Sequence, residues 1–468
     1  IASLMSYHRN LLKCYNTLNE FMLANKMRGK LALFKDMGNR LLDDDITCFD
    51  IINQDFDATL SDQFFDQRST VLLHDQEPLL FNAQRERWSR WRFNTSPFDD
   101  RMIILNSERN SKELNDFCKE FNAVPCHWFS NGALALSWYD SGRFSLRPKI
   151  KYPKPRLHYK FSCLNRLINH QRCYRPVISR ILLDLVDHKH LRLSCMLTDP
   201  SDGSTPKTLP IPSRFMHLFN NIDFSTPIRV NHVADDVESN GSMRNLSADM
   251  SNQYFVTTFC HIVTETLFTE STLHLTEKSL RPFVNLRPFL LLGPPHSLSY
   301  LRSYGFKTFS EFWDESYDSI SDPWQRLEAV IKVVENLNKM SLNDMDEMLD
   351  AMDPILRHNY RHFYMDFPER IMDDLSTNFK DAITSSKSRE PNGWMLKRLK
   401  ELTPTRINEL MNGPMSDEIP NNQLYDSLKL GDMTKVDRNL ARLLTIEKGF
   451  DKESSKEEIL ARFKIALD

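Results

Sequence analysis

The segment YFVTTFCHIVTETLFTESTLHLTEKSLRPFVNLRPFLLLGPPHSLSYLRSYGFKTFSEFWDESY, residues 254–317, constrains the fold more than any other part of the chain. Tyr254 to Phe259 is an apolar, β-branched run that predicts a buried strand. Glu265 and Glu270 follow, and Thr276-Glu277-Lys278 opens a predicted short helix. Phe289–Leu292 predicts a second buried strand, ending on Gly293-Pro294-Pro295. A further helix over Leu298 to Tyr304 stops at Gly305, which suits a left-handed cap. Strand, acidic loop, helix, strand, turn and helix in that order is the layout of a βαβ unit in a parallel sheet.

At 468 residues the chain is long for one core, so two domains with extras are expected. In the first half, Leu11 to Met27 is helix-like, and Leu31–Phe34 and Cys48–Ile52 are strand candidates. Thr70–Leu73 predicts a strand ending in His74-Asp75-Gln76-Glu77-Pro78, and Met102–Leu105 one ending in Asn106-Ser107-Glu108. Ser111 caps a helix over Lys112–Phe121, and after Pro125 a strand is predicted over Cys126–Phe129. Three strands ending in polar loops on one edge describe a Rossmann-like domain, whose ligands bind beyond the carboxyl ends of the strands. Glu77 and Asp75 stand where a base acting on an acceptor belongs, with Glu108 a further candidate. The plainer alternative makes His74 a partner for a backbone group and Glu77 a turn residue before Pro78.

Residues 141–183 contain no Asp or Glu, many Lys and Arg, and Pro148, Pro153 and Pro155. They read as an interdomain linker, either a solvated connector or a positive lip that attracts a nucleotide diphosphate or a nucleic-acid acceptor. Leu157–Leu164 opens the second domain as a strand, and Arg166 just past it is placed for phosphate or, alternatively, for a structural carboxylate. Residues 197–250 read as a surface insertion with one apolar island, Phe215 to Ile222. Residues 323–385 are helical, over Trp324–Leu337, Leu342–Met352 and Pro354–Phe363. The tail, punctuated by Pro391, Pro404, Pro414 and Pro420, has helices at Val436–Leu444 and Glu457–Ala466. It is either a module for a protein partner or a surface-packed extension.

Bulk properties narrow the classes. A net charge of −3 argues against a wholly electrostatic nucleic-acid binder. Eight scattered cysteines, with no CxxC pair and no zinc-type spacing, predict free thiols in a reducing cytosol. No apolar run approaches the roughly 18–20 residues that cross a bilayer, and no basic-then-apolar signal pattern opens the sequence. GxGxxG and GxxxxGK[ST] are absent, which lowers nicotinamide and P-loop readings. Asp43-Asp44-Asp45 reads as a solvated turn rather than a metal site.

Thr276-Glu277-Lys278, with an upstream glutamate and the following PF and LLLG, resembles the donor-binding motif of GT-B glycosyltransferases, nearest in form to family 10 fucosyltransferases and exostosin-type enzymes. The longer string is similar to a group of proteins that tailed phages encode and that are assigned as glycosyltransferases. HDQEPLLF at 74–81, ILNSERNS at 104–111 and CLNR at 163–166 extend that likeness over roughly residues 65–365. The resemblance implies an α/β protein of two Rossmann-like domains in the GT-B arrangement: an acceptor-side domain at residues 1–148, a nucleotide-sugar donor domain at 156–388, and a helical C-terminal extension at 389–468. It implies inverting transfer from a nucleotide sugar to an acceptor hydroxyl without a metal or other cofactor. Arg166 matches the family arginine that contacts the donor β-phosphate, and Lys278 and Arg281, one turn apart, would join it. Glu277, Glu270 and Glu265 would accept from sugar or ribose hydroxyls, although Glu277 and Arg281 could instead form a plain helix pair. The acceptor would be a glycan, a protein or a modified base in phage DNA, and the location the cytoplasm, that of the host for a phage protein. Two alternatives stand beside this: a GT-B fold without turnover, serving as a binding or virion component, and a nucleotidyl or phosphoryl transferase with a Rossmann-like site.

Overall fold

The computed structural model describes residues 101–140, 156–200, 202–231, 255–390, 393–412, 431, 433–442 and 458, with the backbone of the strands at 28–32, 49–52 and 70–74. Leu11 to Met27, Asp43-Asp44-Asp45 and most of Glu457–Ala466 lie outside the described residues. The chain is an α/β protein with two five-stranded sheets, and its contacts group into two units.

One unit carries the first sheet with Lys112–Trp128 and the chain from Ser376 onward. Arg28–Ala32 (β1), Phe49–Ile52 (β2), Thr70–His74 (β3), Met102–Asn106 (β4) and Ala123–His127 (β5) are all parallel, in the order β2-β1-β3-β4-β5. All five residues of β4 are buried, as an apolar strand inside a parallel sheet requires. Helix Lys112–Glu120 (α1) covers it with Leu114 and Phe117, which pack with Met102, Ile104 and Phe121. The strand expected after Pro125 instead includes it. Among the described residues β5 pairs only with β4, at the sheet edge, where a proline is tolerated.

The second unit holds Ser107–Ser111 and Phe129–Leu375. It includes helix Ser130–Asp140 (α2) and a sheet in the order β10-β9-β6-β7-β8. Tyr159–Leu164 (β6), Leu191–Cys195 (β7), Thr258–Thr264 (β9) and Phe289–Leu292 (β10) are parallel, and Ile228–Val230 (β8) runs antiparallel to β7. Tyr174–Leu185 (α3) links β6 to β7, Glu277–Val284 (α4) links β9 to β10, and Ser297–Ser303 (α5) follows β10. Pro323–Asn338 (α6), Leu342–Ala351 (α7), Asp353–Met365 (α8) and Phe367–Lys387 (α9) make up the predicted helical run.

β9 starts four residues later than the apolar run suggested. Arg287 takes the carbonyls of Phe255 and Val256, which holds that stretch in a turn ahead of the strand. His261 then lies inside the sheet, with Ser162 Oγ 2.6 Å from its Nδ1. Burial and the neighbouring Arg287 push its pKa down to about 3, so it is packed as a neutral ring. β7 escapes sequence reading because Arg192 and Ser194 interrupt it; the Arg192 guanidinium stacks over the Tyr159 ring at 4.1 Å.

Toward the C-terminus the first unit adds Trp394–Glu401 (α10), Pro404–Asn412 (α11) and Met433–Arg442 (α12). Arg398 donates bidentately to the buried Asp437 at 2.7 and 3.0 Å, tying α10 to α12. Among the described residues no helix is long and apolar enough to cross a membrane.

Gly305 does end the helix after β10, at φ +96°, and a methyl group there would meet the His362 ring at 2.7 Å. Gly305→Ala should therefore cost about 2 kcal/mol in urea unfolding; a change under roughly 0.5 kcal/mol would show that the turn yields freely.

The six described cysteines are buried free thiols. Burial pushes Cys118, Cys163, Cys173 and Cys195 up to about 12, from an ordinary 9.0. A thiol raised in the folded state contributes stability that is complete below its ordinary value and is lost as pH climbs toward the folded value. Native protein at pH 8 should leave these four sites unalkylated by mass spectrometry, unfolded protein should label all four, and stability should fall above about pH 9.

Candidate functional site

β6, β9 and β10 run parallel, so the loops that follow them leave one edge of the second sheet. At that edge Thr264 Oγ1 donates to Asn165 Oδ1, joining the ends of β9 and β6.

Glu265, fully buried, is the next residue. Its carboxylate accepts from Thr276 N at 3.0 Å, Thr276 Oγ1 at 2.7 Å, Thr266 N at 3.2 Å and Ser279 Oγ. Four donors fill the roughly four lone-pair directions of a carboxylate. Both oxygens are thus committed to the start of α4, and the role of Glu265 is to seat that helix rather than to meet a sugar. The positive end of the helix also favours a buried negative charge at this position.

Thr276 is the N-cap of α4, as its place in the motif suggested. Its hydroxyl donates to Glu265 and accepts from Lys278 Nζ at 3.2 Å; that ammonium also pairs with Glu277 Oε1 at 2.9 Å. Lys278 is therefore held at the helix start with its side chain about one-third exposed (32 %), while Glu277 is nearly covered. Arg281 does not share this position. Its guanidinium lies over the ring of Phe255, 5.5 Å away, and its Nε reaches Tyr139 Oη at 3.5 Å. One helical turn separates the two cations, yet they serve different neighbours.

Three buried side chains, none assigned a role from sequence, fix the loops. Tyr174 Oη donates to the carbonyls of Glu265 (2.7 Å) and Leu292 (3.2 Å). Arg175 donates to Leu167, Thr264 and Glu265 carbonyls at 3.0–3.1 Å. Arg326 donates to Gly293 at 3.0 Å and to Phe268 and Ile320. The signal that could have found them is weak: a tyrosine or an arginine within a helical stretch is as easily a surface residue.

Arg166, two residues past β6, is exposed and among the described residues has no hydrogen bond or ion pair. Glu270 has one buried carboxylate oxygen, Oε2, without a hydrogen-bond partner, and Asn169 has a buried Oδ1 in the same condition. Glu77 and Asp75 lie outside the described residues. Glu108 is buried, in a segment joined to the loop after β9 by paired main-chain bonds between Arg109 and Leu273 at 2.8 and 2.9 Å. Beside it, His274 Nδ1 is 3.0 Å from Ser107 Oγ, and Asn131 Nδ2 approaches His274 Nε2 at 3.4 Å. Among the described residues no group of three or more His, Cys, Asp and Glu is placed to hold a metal ion.

Comparison with protein-family models, with curated proteins and with solved structures finds no match to this chain.

Glu265→Gln replaces one acceptor oxygen by a donor facing other donors. It should cost about 2 kcal/mol in denaturant unfolding, the penalty of an unsatisfied buried group. A loss no larger than that of an exposed Glu→Gln control would mean the carboxylate does not seat α4.

Proposed function

We propose that this protein is a glycosyltransferase that moves a sugar from a nucleotide-sugar donor to an acceptor hydroxyl, on two Rossmann-like domains of the GT-B type. The observation that carries the reading is the pair of cations at one sheet edge. Arg166 is exposed and unpartnered past β6, and Lys278 is fixed at the N-terminus of α4, which follows β9. Parallel α/β sheets bind ligands at this edge, and a helix N-terminus adds backbone N–H groups and a positive dipole end.

Transfer of a sugar leaves a nucleoside diphosphate whose charge grows as the glycosidic bond breaks. A guanidinium and an ammonium fixed beforehand stabilise that charge without reorganising. Arg166 can give two parallel hydrogen bonds to phosphate oxygens. Lys278 acts as a point charge, and the Glu277 beside it keeps the ammonium in place. This division needs no metal for the leaving group. The acceptor hydroxyl must lose its proton to a carboxylate, a role we assign to Glu77 or Asp75 on the acceptor side. From the resemblance of the sequence to phage proteins we propose the host cytoplasm as the location and a glycan, a protein or modified DNA as acceptor.

Binding a nucleoside diphosphate at one hundred times its Kd should stabilise the protein by about 2.7 kcal/mol. Differential scanning fluorimetry against UDP, GDP, dTDP and CDP should find one that raises Tm. Arg166→Ala and Lys278→Ala should each abolish most of that rise while leaving the Tm of the free protein nearly unchanged. A panel without any stabilising nucleotide, or a rise that survives both substitutions, would overturn the proposal.

A further inference from the structure

The short segment after β4, Ser107–Ser111, belongs to the second unit, as does the loop from Thr266 to Leu275 that joins β9 to α4. The two touch at an isolated antiparallel bridge, where Arg109 and Leu273 exchange main-chain bonds at 2.8 and 2.9 Å. The next residue of the loop, His274, carries the contact into the side chains. Its Nδ1 is 3.0 Å from Ser107 Oγ, and Asn131 Nδ2, at the start of α2, approaches its Nε2 at 3.4 Å. All three residues are buried. The amide nitrogen is a donor, so Nε2 accepts and the ring proton sits on Nδ1, facing the serine hydroxyl.

The other side of the segment is anchored as well. The Arg109 guanidinium lies over the Tyr300 ring at 5.1 Å and 3.8 Å from the Asp374 carboxylate. Asp374 in turn accepts from Tyr304 Oη at 2.6 Å. Tyr300 lies in α5, Tyr304 directly follows it, and Asp374 lies in α9. The segment therefore carries the rigidity of two packed helices to the loop after β9.

His274 stands two residues before Thr276, whose hydroxyl takes the Lys278 ammonium. Glu265 ties Thr276 to the end of β9. A loop end held from one side can pivot about its anchor, and a second anchor from a different element removes that freedom. We infer that Ser107 and His274 are positioning residues for Lys278, so that the segment after β4 helps to set the affinity for a nucleoside diphosphate. The inference rests on Lys278 meeting a diphosphate, as in the glycosyltransferase reading, and it adds residues that act through the lysine rather than on the ligand.

Isothermal titration of the full chain tests it, with whichever of UDP, GDP, dTDP and CDP binds wild type most tightly. Ser107→Ala and His274→Ala should each weaken that diphosphate about fivefold, the scale of one hydrogen bond. His274→Asn, which keeps a donor near the Nδ1 position, should stay within twofold of wild type. In a Lys278→Ala background, Ser107→Ala should change the affinity by less than twofold, because effects that run through one side chain do not add. Hydrogen exchange of the free protein supplies a second readout: in Ser107→Ala, peptides spanning residues 273–278 should exchange faster while β9 stays protected. Wild-type affinity in both alanine variants, the same fivefold loss with and without Lys278, or unchanged exchange at 273–278 would overturn the inference and leave the diphosphate reading standing. Failure of all four diphosphates to bind wild type would overturn both.

Discussion

A carboxylate buried at the end of a central strand organises this half of the molecule. Glu265 is a fully buried carboxyl group, and burying such a group is unfavourable by several kcal/mol unless every lone pair is met. Thr266, Thr276 and Ser279 meet them. The consequence is geometric: the start of α4 cannot move relative to β9 without stranding a buried carboxyl group. Lys278 inherits this rigidity, because Thr276 Oγ1 both donates to Glu265 and accepts from its ammonium. A cation on a flexible four-carbon stem becomes a fixed charge at the mouth of the sheet.

Buried arginines extend the same logic to the neighbouring loops. Arg175 and Arg326 spend their N–H groups on main-chain carbonyls at the carboxyl ends of the strands rather than on carboxylates. Burial lowers Arg326 to about 10, which still leaves it charged at neutral pH. The turn after β10 is equally tight. A side chain at Gly293 would meet Ser297 Oγ at 2.8 Å, and Ser297 in turn donates to Pro294 at 2.6 Å. The buried arginines that hold loops and the exposed Arg166 are the same residue type, separated by whether carbonyls surround them.

Much of the sheet scaffold was legible in the chain. β10 and β4 are continuous apolar runs, and the TEK sequence announced a capped helix start because threonine, an acidic residue and a lysine suit successive positions there. The roles within the site were less legible. Glu265, Glu270 and Glu277 are alike in sequence, yet one seats a helix, one has an unmet oxygen and one holds a lysine. Only three-dimensional neighbours separate them. Arg281 was grouped with Lys278 on spacing alone, and the aromatic ring of Phe255 draws it elsewhere. Pro125 reads as a break until the strand order makes β5 an edge. β7 was hidden because its polar residues meet partners distant in sequence, the Tyr159 ring for Arg192 and the Asn165 carbonyl for Ser194.

The direct test of the central claim is a crystal structure of the protein soaked with a nucleoside diphosphate chosen from the binding panel. The account predicts the pyrophosphate beyond the carboxyl ends of β6 and β9, with phosphate oxygens in hydrogen-bond contact with the Arg166 guanidinium and the Lys278 ammonium, and with Glu265 still bonded to Thr276. Density for the diphosphate at any other place on the chain, with Arg166 left in solvent, would contradict it.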